Sequence, residues 1–148
     1  MSPAAPVLIR RATAADQAAI RQMVHEARLD PTDLHWSHFV VAEEGNEVVG
    51  IGQIRPYPKC RELGSLVVRE DRRGQGIGGL VIRALLEGEP GDVYLECSSR
   101  MASYYVRFGF QEIRWQDAPM PLRLKAGMGN LLGRLLGRRL AVMVRVGG

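Results

Sequence analysis

The run Gly74-Gln75-Gly76-Ile77-Gly78-Gly79 stands between a β-rich stretch, Glu62 to Val68, and a stretch in which Ile77, Leu80, Val81, Ala84 and Leu85 recur at helical spacing. A strand, a glycine turn and a helix in series constrain this chain more than any other feature. Glycine has no Cβ, so backbone N–H groups at the helix start can approach a ligand closely, and those groups have no helical partner. The helix dipole adds positive potential there, which makes an anion site suited to phosphate. The bland alternative is a turn that only lets helix and strand pack closely. Four glycines in six residues exceed what a turn needs.

Gly74, Gly76 and Gly79 also match Gly-x-Gly-x-x-Gly, with Glu96 near the distance of a ribose-binding carboxylate. In the dinucleotide fold the first glycine follows its strand almost at once. Here five charged residues, Arg69 to Arg73, intervene, and too little chain remains for the rest of such a sheet. The Gly-x-x-x-x-Gly-Lys-Ser/Thr pattern of a nucleoside-triphosphate loop is absent.

Elsewhere, strands and helices alternate. Val7 to Arg10 reads as a strand, and Thr13 with Asp16 forms a variant capping box ahead of a helix carrying Ile20, Met23, Val24 and Ala27, stopped before Pro31. Phe39 to Glu43 and Glu47 to Ile54 form a hairpin about Glu44-Gly45-Asn46. Val93 to Cys97, Phe110 to Trp115 and Ala141 to Val146 read as strands, and Met101 to Phe108 as a short helix ended by Gly109. Leu131, Leu132, Leu135 and Leu136 mark one more helix, bearing Arg134, Arg138 and Arg139. The expected architecture is α/β or α+β around one sheet, in a single domain over residues 1–148.

A hydrophobic share of 46% and a charged share of 24% exclude a disordered or collagen-like chain. No apolar run approaches the roughly 20 residues of a membrane helix, and Met1 to Leu8 has no basic-then-apolar leader pattern, so a cytoplasmic protein without membrane contact is expected. Cys60 and Cys97 lie far apart and form no metal-ligand set with His25, His35 and His38; neither zinc nor a disulfide is expected, and Cys97 reads as a small core residue. From Ala118 onward there are six basic residues and no acidic one. Such a patch attracts anions without naming a partner.

Arg73-Gly74-Gln75-Gly76-Ile77-Gly78 resembles motif A of the GNAT acetyltransferase superfamily: Arg or Gln, two residues, Gly, one residue, Gly or Ala. Glu62 to Val68 occupies the place of the family's valine-rich strand, with Glu70 where a proline is common. Tyr105-Val106-Arg107-Phe108-Gly109-Phe110 resembles the second signature, an aromatic helix ending in Gly-Phe, and the likeness spans about Val7 to Ile113. The resemblance implies a mixed, mostly antiparallel central sheet flanked by helices and splayed between the fourth and fifth strands. It implies acetyl-CoA as cosubstrate, with N–H groups of Arg73, Gly74, Gln75, Gly76, Ile77, Gly78 and Gly79 on the pyrophosphate. The main chain of Leu66, Val67 and Val68 would pair with the pantetheine arm as an added strand. The reaction implied is transfer of an acetyl group to a primary amine, whether small amine, amino acid or protein amine.

An amine must be neutral to attack a thioester, and a lysine-like amine is mostly protonated at neutral pH. Glu62 and Glu96, on successive strands, are the candidate general bases, Glu62 preferred because its strand borders the expected acceptor site; either could instead be an exposed strand residue or half of an ion pair. Tyr105 matches the family's tyrosine, which donates to the leaving thiolate, while Tyr104 is expected to turn toward the core. The family's usual Asn near the start of that helix is missing, with Ser98 or Ser99 nearest. Pro119 to Arg139 goes beyond the minimal pattern and could shape the acceptor pocket, pack on the sheet or form a homodimer face. Two rival readings remain: a non-catalytic module that binds acetyl-CoA or a partner, and a nucleic-acid binder, which the lack of aromatic-basic interleaving disfavours.

Overall fold

A computed structural model describes residues 5–128, 137 and 139–147. The leucine stripe over residues 131–136 and two of its arginines, Arg134 and Arg138, lie outside the described residues. The elements are β1 (Val7–Arg11), α1 (Gln17–Glu26), β2 (Phe39–Glu44), β3 (Glu47–Pro56), β4 (Arg61–Val68), α2 (Ile77–Glu87), β5 (Val93–Ser98), α3 (Ala102–Val106), β6 (Gln111–Ile113) and β7 (Leu140–Arg145). Residues 122–128 are also helical. The strands form one mixed, mostly antiparallel seven-stranded sheet in the order β1-β2-β3-β4-β5-β7-β6. Two compact units divide the chain: Met1–Arg55 with Leu63–Gly88, and Pro56–Glu62 with Glu89–Gly148. Among the described residues no helix is long and apolar enough to cross a membrane.

In the first unit, β1 and β2 pair antiparallel from Val7↔Glu44 to Arg11↔Val40. β2 turns into β3 through Gly45 and Asn46, both with positive φ (55° and 67°), the primed turn whose twist matches the flanking strands. α1 places Ile20 and Val24 against Phe39, Val41 and Ile51, all five fully buried. Burial of each such side chain is worth roughly 1.5–3 kcal/mol. Side chains alternate along β3, so Gly50 and Gly52 face away from α1, toward α2. A Cβ on Gly52 would stand 2.9 Å from Val81 Cγ1 and 3.0 Å from Leu85 Cδ1, so this glycine is what lets α2 lie close on the sheet.

The buried stripe of α2 is Ile77, Val81, Ile82, Leu85 and Leu86. Leu80, expected on that face, is instead 47% exposed. At 100° per residue it lies about 150° from the stripe's centre, and a helix apolar nearly all round does not reveal from spacing which stripe is buried.

The capping box is formed through its acid: Asp16 Oδ2 accepts from Thr13 N–H at 2.7 Å, while Arg10 donates to Oδ2 at 2.8 Å and to Oδ1 at 3.0 Å. Arg10, more than burial, which opposes it, and the Thr13 N–H hold the Asp16 carboxyl below the ordinary aspartate range. A group whose folded-state pKa is depressed contributes stability above its unfolded pKa and loses it as pH falls through the folded value. Asp16→Asn is therefore expected to cost about 2 kcal/mol at neutral pH, the sum of a lost cap and a broken charge pair. Urea titrations should show the cost shrinking below about pH 4.

In the second unit, β5 and β7 pair antiparallel over six residues, Val93↔Arg145 to Ser98↔Leu140, and β6 adds to β7 through Gln111↔Val144 to Ile113↔Val142. The start of β4 joins β5 in parallel through two pairs, Arg61↔Val93 and Glu62↔Tyr94. The 122–128 helix packs Leu122 and Ala126 with Cys60, Val142 and the partly buried Tyr94 and Trp115 on one face. The other face carries α3 and the aromatic contacts of Tyr105 with Tyr104 and Phe110.

Candidate functional site

β4 ends at Val68, and the charged turn that follows is tied to the β2–β3 hairpin through Arg69 and Arg72. Arg69 N–H donates to Val49 O at 2.8 Å, the Arg69 guanidinium bonds Glu47 and Asp71, and that of Arg72 pairs with Glu44 and Asp71. Arg73 Nε donates back to Val68 O at 3.1 Å and closes the loop. Exposed pairs of this kind add little stability, but several together orient a turn.

Gly74 and Gly76 adopt φ of +78° and +82°, a region that side-chain-bearing residues rarely enter, and a Cβ at either would meet nothing within 4 Å. Glycine is thus required here by backbone conformation, with open space above it. Gly76 is the N-cap of α2 and has no side chain to offer, so the N–H groups of the first turn, Ile77, Gly78 and Gly79, receive no side-chain cap. This uncapped start of an eleven-residue helix, behind two exposed glycines, has the donors and the dipole for an anion. A cavity of about 720 Å³ in the same unit is lined by Val67, Val68 and Arg73 and by Gln22 and Met23 of α1.

Upstream in β4, Ser65 has φ of +51° although it is not glycine. Its Oγ lies 2.9 Å from Gln53 Nε2 and 3.2 Å from Arg55 Nη2, and all three residues are buried. The Arg55 guanidinium reaches on to Asp30 Oδ2 at 4.0 Å. A strained serine held by two buried donors sets the course of the strand just before Leu66, Val67 and Val68. Nothing in the spacing of Gln53, Arg55 and Ser65 signals this network, which needs β3 and β4 side by side.

The second unit brings Glu62 and Glu96 together. Glu62 stands beside Tyr94 in the parallel ladder, two residues before Glu96 on the same face of β5. Glu62 is buried, and its Oε1 accepts from Lys125 Nζ of the 122–128 helix at 3.3 Å. Glu96 Oε2 is buried without a hydrogen-bond partner among the described residues. Burial pushes the Glu96 carboxyl above the ordinary glutamate range, Lys125 partly offsets this, and the Glu62 charge adds to it. Lys125 escaped the sequence analysis, where it was one of several basic residues in a segment without a signature.

Tyr105 is on the other face of β5. It is 9% exposed, its ring meets Phe110 at 6.1 Å, and burial, with smaller contributions from Cys97 and Tyr104, raises its pKa to about 12. At neutral pH it is a hydroxyl donor. Tyr104, expected to turn into the core, is only half-buried and lies under the Arg107 guanidinium at 5.0 Å. The short α3 turns residue 105 rather than 104 onto Phe110. Cys97 is half-buried rather than part of the core, and burial lifts its pKa to about 11, which keeps it a thiol.

Comparison with known proteins bears on this arrangement. The chain resembles an N-acetylglutamate synthase from Neisseria gonorrhoeae, complexed with coenzyme A and N-acetyl-glutamate, at TM-score 0.78 and 18% identity, covering 99% of this chain and 36% of that one. It resembles Rv2747 from Mycobacterium tuberculosis, solved in complex with CoA, at TM-score 0.73 and 20% identity over 94% of this chain and 98% of the other. A GNAT-family acetyltransferase from Staphylococcus aureus Mu50 matches at TM-score 0.70 and 16% identity, covering 95% and 99%. The chain spans about a third of the length of the Neisseria synthase structures. At these identities the likeness is one of fold. A family model described as an acetyltransferase (GNAT) domain matches residues 35–112, more than half of the sequence. The chain belongs to the GNAT acetyltransferase family.

Proposed function

We propose that residues 1–148 form one acetyl-CoA-dependent N-acetyltransferase domain acting on a primary amine. The observation that carries this reading is the uncapped glycine start of α2 directly after β4, a cradle whose open side and backbone donors fit a pyrophosphate. Neighbours of the same fold are solved with coenzyme A. N–H groups from Arg73 to Gly79 would hold the diphosphate, and the main chain of Leu66, Val67 and Val68 would align the pantetheine amides. Acetyl-CoA supplies an acyl group whose C–S bond breaks as the C–N bond of the acetamide forms, so an ammonium acceptor yields amide, free thiol and one proton.

The chain's own residues handle the protons. The Glu62 and Glu96 pair takes one from the acceptor ammonium and passes it to solvent. Tyr105, kept protonated by its burial, donates from its hydroxyl to the departing sulfur and recovers a proton from the acceptor nitrogen. Thiol release in the presence of acetyl-CoA and a panel of small amines, amino acids and peptides tests the proposal. Amine-dependent release is expected, with kcat lowered roughly 10²-fold in Tyr105→Phe and KM for acetyl-CoA little changed. Release that ignores the amine would refute the transferase reading.

A further inference from the structure

We propose that Gln53 and Arg55 of β3 are positioning residues for the cofactor strand: by bonding the Ser65 hydroxyl they lock a left-handed residue into β4, which aims the main chain of Leu66, Val67 and Val68. The inference rests on the acetyl-CoA reading for the ligand of that main chain, and on geometry alone for the lock.

Ser65 has φ of +51°, where residues other than Gly, Asn and Asp are seldom found. An extended strand carries no such strain, so contacts outside its own backbone hold the residue there. Its Oγ is 2.9 Å from Gln53 Nε2 and 3.2 Å from Arg55 Nη2, and all three residues are buried. Rotation of φ toward the extended range would carry Cβ and the hydroxyl away from both donors, leaving their N–H groups buried with the acceptor gone. In an interior that loss outweighs the strain it relieves.

Neither donor is placed to follow the hydroxyl. Gln53 stands opposite Phe39 in the β2–β3 ladder and is fully buried. The Arg55 guanidinium also reaches Thr32 O at 3.5 Å and Asp30 Oδ2 at 4.0 Å, in the connection from α1 to β2. Asp30 Oδ1 fixes that connection by accepting from Thr32 N–H at 2.9 Å and Thr32 Oγ1 at 2.7 Å. Gln53 Oε1, for its part, is buried with no hydrogen-bond partner among the described residues. A packed apolar side chain would carry no such penalty, and an amide kept here with its oxygen unmatched is explained by what its N–H holds.

Beyond Ser65 the strand is fixed on both faces. Leu66 Cδ1 lies 3.2 Å from where a Cβ on Gly52 would stand, toward α2, while Val67 packs with the α1 cluster. Peptide groups between side chains on alternate faces lie in the plane of the sheet, the orientation an added strand needs. The ladder of β4 with β5 runs through Arg61 and Glu62 and ends before Ser65. The course of residues 66–68 is therefore set from β3.

The test compares Ser65→Ala with Ser65→Gly, which delete the same hydroxyl and differ in whether a left-handed φ is strained. Calorimetric titration of the full chain with acetyl-CoA should give a Kd raised about tenfold in Ser65→Ala and within about threefold of the wild type in Ser65→Gly. Gln53→Met, similar in volume but without an N–H to donate, should melt as the wild type does and still bind about fivefold more weakly. If Ser65→Ala does not fold, Gln53→Met carries the test. In the free wild-type chain the ¹³Cα and ¹³Cβ shifts of Ser65 should be those of a left-handed residue, moving toward extended values in Gln53→Met. Unchanged affinity in Ser65→Ala or Gln53→Met, equal losses in Ser65→Ala and Ser65→Gly, or extended shifts in the wild type overturn the proposal. Left-handed shifts that respond to Gln53→Met, in a chain whose wild type binds no acetyl-CoA, would keep the lock and refute the cofactor reading instead.

Discussion

Gly76→Glu is expected to abolish the thermal stabilisation that millimolar coenzyme A confers on the wild-type chain, with an affinity loss of at least 100-fold, or about 2.7 kcal/mol. Two effects act in the same direction. The φ of +82° places any Cβ in a strained backbone region, at about 1–2 kcal/mol, and so biases the turn away from the conformation that presents its N–H groups. The introduced carboxylate then extends into space where nothing stands within 4 Å, at the positive end of α2, and competes for the position proposed for the diphosphate. Charge-assisted hydrogen bonds of roughly 1.5–3 kcal/mol each are at stake. Leu80→Gln, on the exposed side of the same helix, should bind as the wild type does. A Gly76→Glu protein that remains folded and binds coenzyme A normally would show that the glycines make only a turn.

Glu96→Gln should lower kcat/KM by on the order of 10²–10³ and remove the acid limb of its pH profile. The sign follows from burial. In the proposed mechanism the Glu96 carboxylate takes the acceptor's proton, and that carboxylate exists above its raised pKa and is lost as pH falls through that value. Stability runs the other way: an acid with raised folded-state pKa stabilises below its unfolded pKa and loses that contribution as pH rises through the folded value. Glu96→Gln is therefore expected to melt at a higher temperature than the wild type at pH 8 while being nearly inactive. That is the pattern of a group retained for chemistry at a cost to stability. Lower stability at pH 8 with unimpaired turnover would remove Glu96 from the mechanism.

How much of this was legible in the sequence depended on whether a feature was local. The capping box at Thr13 and Asp16, the Gly45-Asn46 turn and the glycine entry to α2 are set by neighbouring residues, and each forms where its residues announce it. Leu80 failed because spacing alone does not choose among apolar stripes on a helix that is apolar nearly all round. Gly52 carried no signal because its role depends on Val81 and Leu85 arriving from a helix some thirty residues away. Among the candidate site residues, Glu62 and Glu96 were found as strand carboxylates, but their proximity is a product of a parallel ladder two pairs long. Lys125 is 63 residues from its partner Glu62, and Ser65 depends on Gln53 and Arg55 from another strand. Long-range polar contacts leave no periodicity to read.

Calorimetric titration of the wild-type chain with acetyl-CoA is the most direct test of the cofactor site. Saturable binding of one molecule per chain, lost in Gly76→Glu and weakened by rising salt as a diphosphate site requires, is the predicted result. No heat and no stabilisation at millimolar acetyl-CoA would contradict the cofactor assignment, and with it the proposed acetyl transfer.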